Sequence, residues 1–241
     1  MPRPSISADE KNDLTNGLSG SPLDSTLPTA PQIYDQIRLA IILSRLPSGT
    51  RVNENDVATH YGVSRTPVRE AYVQLAADGL IETRRQVGSV VSPRDERRVL
   101  EGAIIRRALE GEVVAALASS PVSLRSLKPI LLAQKLALEE QDVPAFFVAD
   151  EAFHAELANL ADIPNAWRLA HSVKSHTDRA RFELMSGVEN RTQLAYEEHE
   201  LLCDLISSGN VAGSRKLIED HINSVFDTTG TPIGVLQQNS A

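Results

Sequence analysis

The sequence of 241 residues has few cysteines and few aromatic side chains, and it lacks long apolar runs. Its one cysteine, Cys203, excludes an intramolecular disulfide and fits a reducing cytoplasm. No apolar run approaches the roughly 20 residues that a membrane span requires, and the N-terminus has no apolar core of a secretion signal. We therefore expect a cytoplasmic protein that has no membrane partner.

The sequence also lacks an excess of basic residues. It contains 24 lysines and arginines and 32 acidic residues, which gives a net charge of −8. The acidity is unevenly spread: residues 1–30 carry −2, residues 31–92 carry +1, and residues 93–241 carry −7. A broad basic field for nucleic acid is therefore excluded. Any DNA contact by residues 31–92 would depend on a few placed arginines, and we expect it to require dimerisation for affinity.

Composition and periodicity divide the chain into four parts. Residues 1–30 are rich in Ser, Pro, Asn and Gly and are predicted to be a disordered tail. Residues 31–92 and 93–228 form two patterned domains, and residues 229–241 are predicted to be a flexible end. The fold class that follows is mainly α.

The pattern over 31–92 predicts three helices and a β-ribbon. The first helix covers about 32–45, and the next two begin after the N-cap residues Asn53 and Ser64. Two short β-prone runs then flank a turn at 85–87. Two short helices joined by a Gly-containing turn and followed by a hairpin are typical of a winged helix-turn-helix.

The third predicted helix has one apolar and one basic side. Arg65, Thr66 and Arg69 lie in its opening turns, where side chains can reach phosphates and base edges. The arginine fork suits O6 and N7 of guanine. Spacing alone, however, would favour a solvated face for these two arginines.

From residue 93 onward the pattern is helical throughout and predicts an all-α bundle. The six predicted helices cover about 95–119, 122–140, 142–161, 165–186, 190–208 and 211–227.

Four polar residues interrupt the apolar faces of these helices. Asp150 and His154 lie four residues apart on one helix, and His199 and His221 lie on the apolar faces of two later helices. A buried carboxylate needs a partner, and a divalent metal held by these four side chains would be one. Imidazole and carboxylate ligands suit zinc or nickel. Hydrogen-bonded core histidines remain the alternative.

Arg106 also falls on an inward-facing stripe. A guanidinium beside a metal can clamp a carboxylate, but an ion pair with Glu110, four residues further on, is the alternative. Asn165 and Arg179 are weaker candidates for the same pocket. His176 shares an apolar stripe, so it either lines this cavity or packs in the core.

The stretch GVSRTPVREAYVQLAADGLIE (62–82) closely resembles the GntR family of bacterial transcription regulators, as do IYDQIRLAI and LPSGTRVNENDVATHYGVS before it. The resemblance implies recognition-helix contacts at Ser64, Arg65, Thr66 and Arg69. It also implies a phosphate contact from Asn55, where a basic residue is usual in the family, and a wing-tip approach of Gly88 to the minor groove. The interface candidates are therefore Asn55, Ser64, Arg65, Thr66, Arg69 and Gly88.

The later segments RRALEGEVVAALA (106–118), DEAFHAELANLA (150–161), NAWRL (165–169) and EEHELL (197–202) resemble the FCD domain. This is the helical ligand-binding domain of the FadR-like branch of GntR regulators. In metal-binding members of that branch, an Asp-x-x-x-His pair and two later histidines hold the metal. The resemblance therefore implies the ligand set Asp150, His154, His199 and His221.

The sequence thus predicts a homodimeric, nucleoid-associated transcription regulator, as a rule a repressor, and not an enzyme. A small organic acid bound at the metal-containing pocket would alter its affinity for an inverted-repeat operator. In one alternative the ion itself is the signal. In another the metal activates water in a hydrolase, but no general-base motif accompanies the cluster and the DNA-binding unit would be unexplained.

Overall fold

The computed structural model describes residues 14, 16–18, 22–84, 88–120 and 122–226. The chain divides into two compact units, one ending at Asp95 and the other beginning at Glu96. The described ranges are mainly helical and contain one two-stranded sheet, which confirms the predicted fold class. No helix within them is long and apolar enough to cross a membrane.

The first unit contains three helices and an antiparallel ribbon. In chain order these are α1 (Thr29–Ile42), α2 (Glu54–Tyr61), α3 (Arg65–Ala77), β1 (Ile81–Arg84) and β2 (Gly88–Val91). The ladder pairs Ile81 with Val91 and Arg84 with Gly88. The predicted turn at 85–87 lies outside the described residues.

Local chemistry explains where α2 begins and ends. The side chain of Asn53 accepts a hydrogen bond of 2.8 Å from the backbone N–H of Asn55, so it caps the first turn as the sequence predicted. Gly62 ends the helix at φ +65°, a left-handed conformation that suits glycine. This turn lets α3 start three residues later and pack its apolar side, including Val68 and Leu75, into the core.

The predicted disordered tail, residues 1–30, needs correction where the structure describes it. Leu14 and Leu18 are only 2% and 3% exposed and belong to the core of the first unit, and α1 begins within the predicted tail at Thr29. The two leucines are four residues apart, which is the helical spacing that the polar composition of the segment obscured. The other residues before position 22, apart from Asn16 and Gly17, lie outside the described ranges.

The second unit contains seven α-helices and a 3₁₀ turn within the described residues. They are α4 (Glu96–Ser119), α5 (Leu127–Glu139), α6 (Val143–Leu160), α7 (Pro164–Val173), α8 (Ser175–Gly187), α9 (Arg191–Ser207), α10 (Val211–Asn223) and the turn Ser224–Phe226. Helix α4 contacts each of α6 to α10, so it forms the centre of the bundle. The predicted break at Pro121 and the predicted flexible end 229–241 lie outside the described residues.

The single helix predicted over 165–186 is wrong, because the chain breaks between α7 and α8 at Lys174. The Lys174 side chain is fully buried, and its Nζ lies 2.8 Å from both carboxylate oxygens of Asp178. Periodicity does not report such an ion pair, since lysine counts as a surface residue in a hydropathy pattern. The break lets α8 turn its charged residues into the bundle.

Candidate DNA-contacting surface and candidate metal centre

The N-terminal part of α3 presents an exposed polar surface. Ser64, Arg65, Thr66 and Arg69 are all exposed, and Ser64 occupies the N-cap position. Neither Arg65 nor Arg69 has an ion-pair partner within the described ranges. Because the opposite side of α3 is buried against α1 and α2, these side chains point away from the core of their unit.

The two other interface candidates are also exposed. Asn55 lies in the first turn of α2, where its side chain is open to solvent. Gly88 opens β2 at φ +94°, a conformation that side chains rarely adopt, and a Cβ built on it would contact nothing within 4 Å. This open backbone position can approach another molecule closely.

Asp150, His154, His199 and His221 come together in the second unit. They lie on three helices, α6, α9 and α10, and each offers one ligand atom within 4.8 Å of the others. His154 Nε2 is 3.8 Å from Asp150 Oδ2, and His199 Nε2 is 3.7 Å from Asp150 Oδ1. All four side chains are buried.

Each histidine of this cluster directs its Nδ1 at an acceptor on another residue. The pairs are His154 Nδ1 with Glu110 Oε2 at 2.8 Å, His199 Nδ1 with Gln134 Oε1 at 3.0 Å, and His221 Nδ1 with Glu198 Oε2 at 2.6 Å. Such partners fix the tautomer of metal-binding histidines. In each ring, Nε2 is therefore the nitrogen that remains available to bind a metal at the centre of the cluster.

The protonation states also suit metal binding. Burial, helped by the neighbouring His221, holds the pKa of His199 well below its usual value, and burial lowers the pKa of His221. Burial alone would raise the pKa of Asp150, but the Arg181 guanidinium beside it outweighs burial and holds that pKa well below its usual value. These shifts favour the neutral forms of His199 and His221 and the ionised form of Asp150, which are the metal-binding forms.

Three acceptor atoms at the centre have no hydrogen-bond partner. They are Asp150 Oδ1, His154 Nε2 and His199 Nε2, and all are buried. An unpaired buried polar atom costs about 1–3 kcal/mol, so three in one place need a partner. A divalent cation is a common partner for all three, and the donor set of imidazoles and one carboxylate suits zinc or nickel. The residues fit a metal.

Arg106 forms the ion pair that the sequence left open as an alternative. Its Nε and Nη2 lie 2.6 and 3.2 Å from the two oxygens of Glu110. Burial would raise the pKa of Glu110, but Arg106 and His154 hold it well below its usual value. Arg106 is therefore not a free clamp, although its buried Nη1 has no hydrogen-bond partner.

The other effector candidates, Asn165, His176 and Arg179, differ in their exposure to solvent. Asn165 is exposed at the start of α7 and accepts a hydrogen bond from Arg168, so the structure does not bring it together with the buried cluster, and its part in effector binding stays a prediction. His176 and Arg179 are buried on α8, and their part in effector binding remains a prediction.

Three residues that contact the cluster were missed from the sequence: Gln134, Arg181 and Glu198. Gln134 is fully buried, and Arg181 contacts Asp150 from α8. Glu198 directly precedes His199 in the sequence, and this adjacency was the only sequence signal that one of the three residues lies beside the cluster.

A pocket opens next to His154. It is lined by Glu110, Val113, Val114, Leu157, Ala158, Ala166 and Trp167.

The fold and the site together define a winged-helix protein whose helical domain carries an Asp-His₃ cluster. Two family profiles match the chain: "Bacterial regulatory proteins, gntR family" over residues 29–91 and "FCD domain" over residues 103–224. The chain belongs to the GntR family of regulators and carries an FCD domain.

Named relatives agree. The chain is 34% identical to an HTH-type transcriptional regulator in an unstable DNA locus of Streptomyces ambofaciens, over 81% of this chain and 82% of the relative. It is 30% identical to the HTH-type transcriptional repressor RspR of Escherichia coli K12, over 90% of this chain and 95% of the relative. These relatives are regulators and not enzymes, as the sequence predicted.

A crystal structure of a GntR transcriptional regulator from Rhodococcus sp. RHA1 has the same fold. It superposes with a TM-score of 0.71 at 22% identity, covering 84% of this chain and 98% of that one.

Proposed function

We propose that the protein is a homodimeric transcriptional repressor whose operator affinity is controlled by a small carboxylate effector, bound at a metal-containing pocket of the FCD domain. The observation that carries the control site is the cluster of Asp150, His154, His199 and His221 with its unpartnered acceptor atoms. Repression is supported by the name of the relative RspR. Its DNA partner would make the protein nucleoid-associated.

On the DNA side, Arg65 and Arg69 would donate to guanine edges or phosphates from the opening turns of α3. Ser64, Thr66 and Asn55 would add hydrogen bonds to phosphates, and Gly88 would approach the minor groove. The support is the exposure of these residues together with the match to the GntR profile. Since residues 31–92 carry a net charge of only +1, two copies on an inverted repeat would supply the affinity.

On the effector side, Asp150 and the three histidines would hold zinc or nickel, which supplies a Lewis-acidic position for a carboxylate oxygen. Arg106 retains an unpaired NH₂ group at Nη1 and shares Glu110 with His154, so an acid bound beside His154 would lie near both. The pocket beside His154 is lined mostly by apolar side chains and has room for about one water molecule, so an acid that binds there would have to widen it. His176 and Arg179 are further candidates for this contact.

A thermal-shift screen tests the pocket. Sugar acids, hydroxy acids, dicarboxylates and amino acids are added to zinc-loaded protein, and binding to the native state should raise the melting temperature for at least one class. That rise should shrink in Arg106→Ala and persist in Arg107→Ala, a matched change at the next position. A flat response to every acid in the wild type and in Arg106→Ala alike would contradict the carboxylate pocket.

The Arg106–Glu110 ion pair favours a second candidate, in which the metal ion itself is the signal. Glu110 already pairs with Nε and Nη2 of Arg106, so no organic acid is needed to neutralise the charge of this arginine. Operator affinity would then follow zinc or nickel concentration in the absence of any acid. A metal-dependent change in operator binding with no further change on adding acids would select this candidate.

A further inference from the structure

Arg181, on α8, forms a hydrogen bond with only one of the two carboxylate oxygens of Asp150. Its Nη2 donates to Oδ2 of Asp150. The other oxygen, Oδ1, has no hydrogen-bond partner and lies 3.7 Å from His199 Nε2. One oxygen is thus held by the guanidinium, and the other remains available to the centre of the cluster.

The Arg181 guanidinium is itself held from several sides. Its Nη1 donates to Glu151 Oε1 at 2.8 Å and to Asp178 Oδ1 at 3.1 Å. Its central carbon lies 5.4 Å from the ring centroid of Phe147, in cation–π range. With only 6% of the side chain exposed, these contacts fix where Nη2 meets Asp150.

A cation beside a metal site would by itself repel the metal, but this one is neutralised locally. Lys174 Nζ lies 2.8 Å from both oxygens of Asp178 and also contacts Glu151. Arg181 and Lys174 therefore face two carboxylates in addition to Asp150. Two carboxylates thus offset the two cations, and Arg181 acts on the cluster through its ion pair with Asp150 and the hydrogen bond that it donates there.

We propose that Arg181 is a positioning residue for the metal centre: by holding Oδ2 of Asp150, it leaves Oδ1 as the single ligand oxygen and so limits the number of donor atoms. This inference rests on the metal site of the proposed function. Partners that orient a metal ligand are typically worth 10–100-fold in metal affinity. Arg181 acts through Asp150, since its own side chain cannot be a ligand.

The test measures zinc affinity by competition with a chromogenic chelator, for the wild type, Arg181→Gln and Arg168→Gln. Arg168 is the matched control, because it is an exposed arginine on α7 that bonds to Asn165. We expect Arg181→Gln to weaken zinc binding about 10–100-fold and Arg168→Gln to leave it unchanged. Arg181→Lys should recover part of the loss, because an ammonium can still donate to Asp150 but lacks the fork.

The visible spectrum of bound cobalt separates positioning from simple stabilisation. In Arg181→Gln both oxygens of Asp150 become free to coordinate, so the cobalt bands should shift and weaken as the coordination number rises. A role in stability alone would lower the melting temperature and leave the spectrum of the folded, cobalt-loaded variant unchanged.

The outcomes are distinct. Wild-type zinc affinity and an unchanged cobalt spectrum in Arg181→Gln would overturn the positioning role while leaving the metal centre intact. A wild-type protein that binds neither zinc nor cobalt would overturn the metal centre and the positioning role together. If Arg181→Gln does not fold, as judged by circular dichroism, Arg181→Met decides, because a thioether cannot donate to Asp150: wild-type affinity and spectrum in that variant overturn the proposal.

Discussion

At the scale of single residues, the cluster of the second unit depends on which atoms are paired and which are left over. Each of the three histidines places Nδ1 against an acceptor, and Asp150 gives one oxygen to Arg181. Asp150 Oδ1, His154 Nε2 and His199 Nε2 have no hydrogen-bond partner and belong to the cluster that three helices bring together. Outer contacts that orient the ligand side chains are typical of metal sites.

The exposed arginines of α3 yield the first prediction. Replacing Arg65 and Arg69 together by alanine should remove specific operator binding, because each contact to a guanine edge is worth about 1–3 kcal/mol. The measurement is fluorescence anisotropy with a duplex selected from random DNA by the wild-type protein. The control replaces Arg97 and Arg168, which removes the same charge from exposed positions in the second unit. Specific binding that survives the α3 double change would contradict the contact assignment.

Residue roles were only partly predictable from the sequence. The Asp-His₃ set was found because polar residues on apolar faces stand out, and the motif spacing placed two of them on one helix. Arg181 was missed because its helix was predicted as part of a longer one, whose faces were therefore assigned incorrectly. The partner of Arg106 lay four residues away, but spacing alone could not decide between a clamp and an ion pair.

At the scale of elements, the close approach of α4 and α8 is set by a glycine. A Cβ on Gly102 would lie 2.2 Å from Thr177 Oγ1 and 3.3 Å from the Cα of Lys174. Thr177 cannot rotate away freely, since it is fully buried and its hydroxyl donates to the carbonyl of Val99. The same contact holds α8 where Arg181 meets Asp150.

The second prediction compares two glycines of the same helix. Gly102→Ala should destabilise the protein by about 1–3 kcal/mol, because the added methyl group overpacks the contact between α4 and α8. Gly111→Ala is the matched control: its Cβ would meet nothing closer than 3.6 Å, so the gain in helix propensity should leave stability unchanged or raise it by up to about 1 kcal/mol. Urea denaturation measures both, and equal effects of the two changes would contradict the packing argument.

Element boundaries were predicted where local signals are strong. Asn53 and Gly62 mark the ends of α2 in both sequence and structure. The break at Lys174 and the packing of Leu14 and Leu18 could not be predicted in the same way, because both depend on partners distant in sequence. Long-range contacts of this kind override local propensity.

At the scale of the whole molecule, the two units divide the work in the proposed function. In that proposal the first unit, whose net charge is near zero, would contact DNA through the exposed residues of α3, and the acidic second unit would control it through the Asp-His₃ cluster. Because neither unit has the basic field of a strong monomeric DNA binder, the proposal requires two copies on one operator. Charge and motifs predict this division of roles, because they describe segments and not single contacts.

The central claim is that occupancy of the Asp-His₃ site controls operator affinity, and one titration tests it most directly. The dissociation constant for the selected duplex is measured with metal-free and zinc-loaded wild-type protein, each with and without the acid that gives the largest thermal shift. The account predicts a change of about 5–150-fold in the wild type, as is typical of coupled sites, and none in His154→Ala. An operator affinity that is the same with and without zinc and acid in the wild type would contradict it.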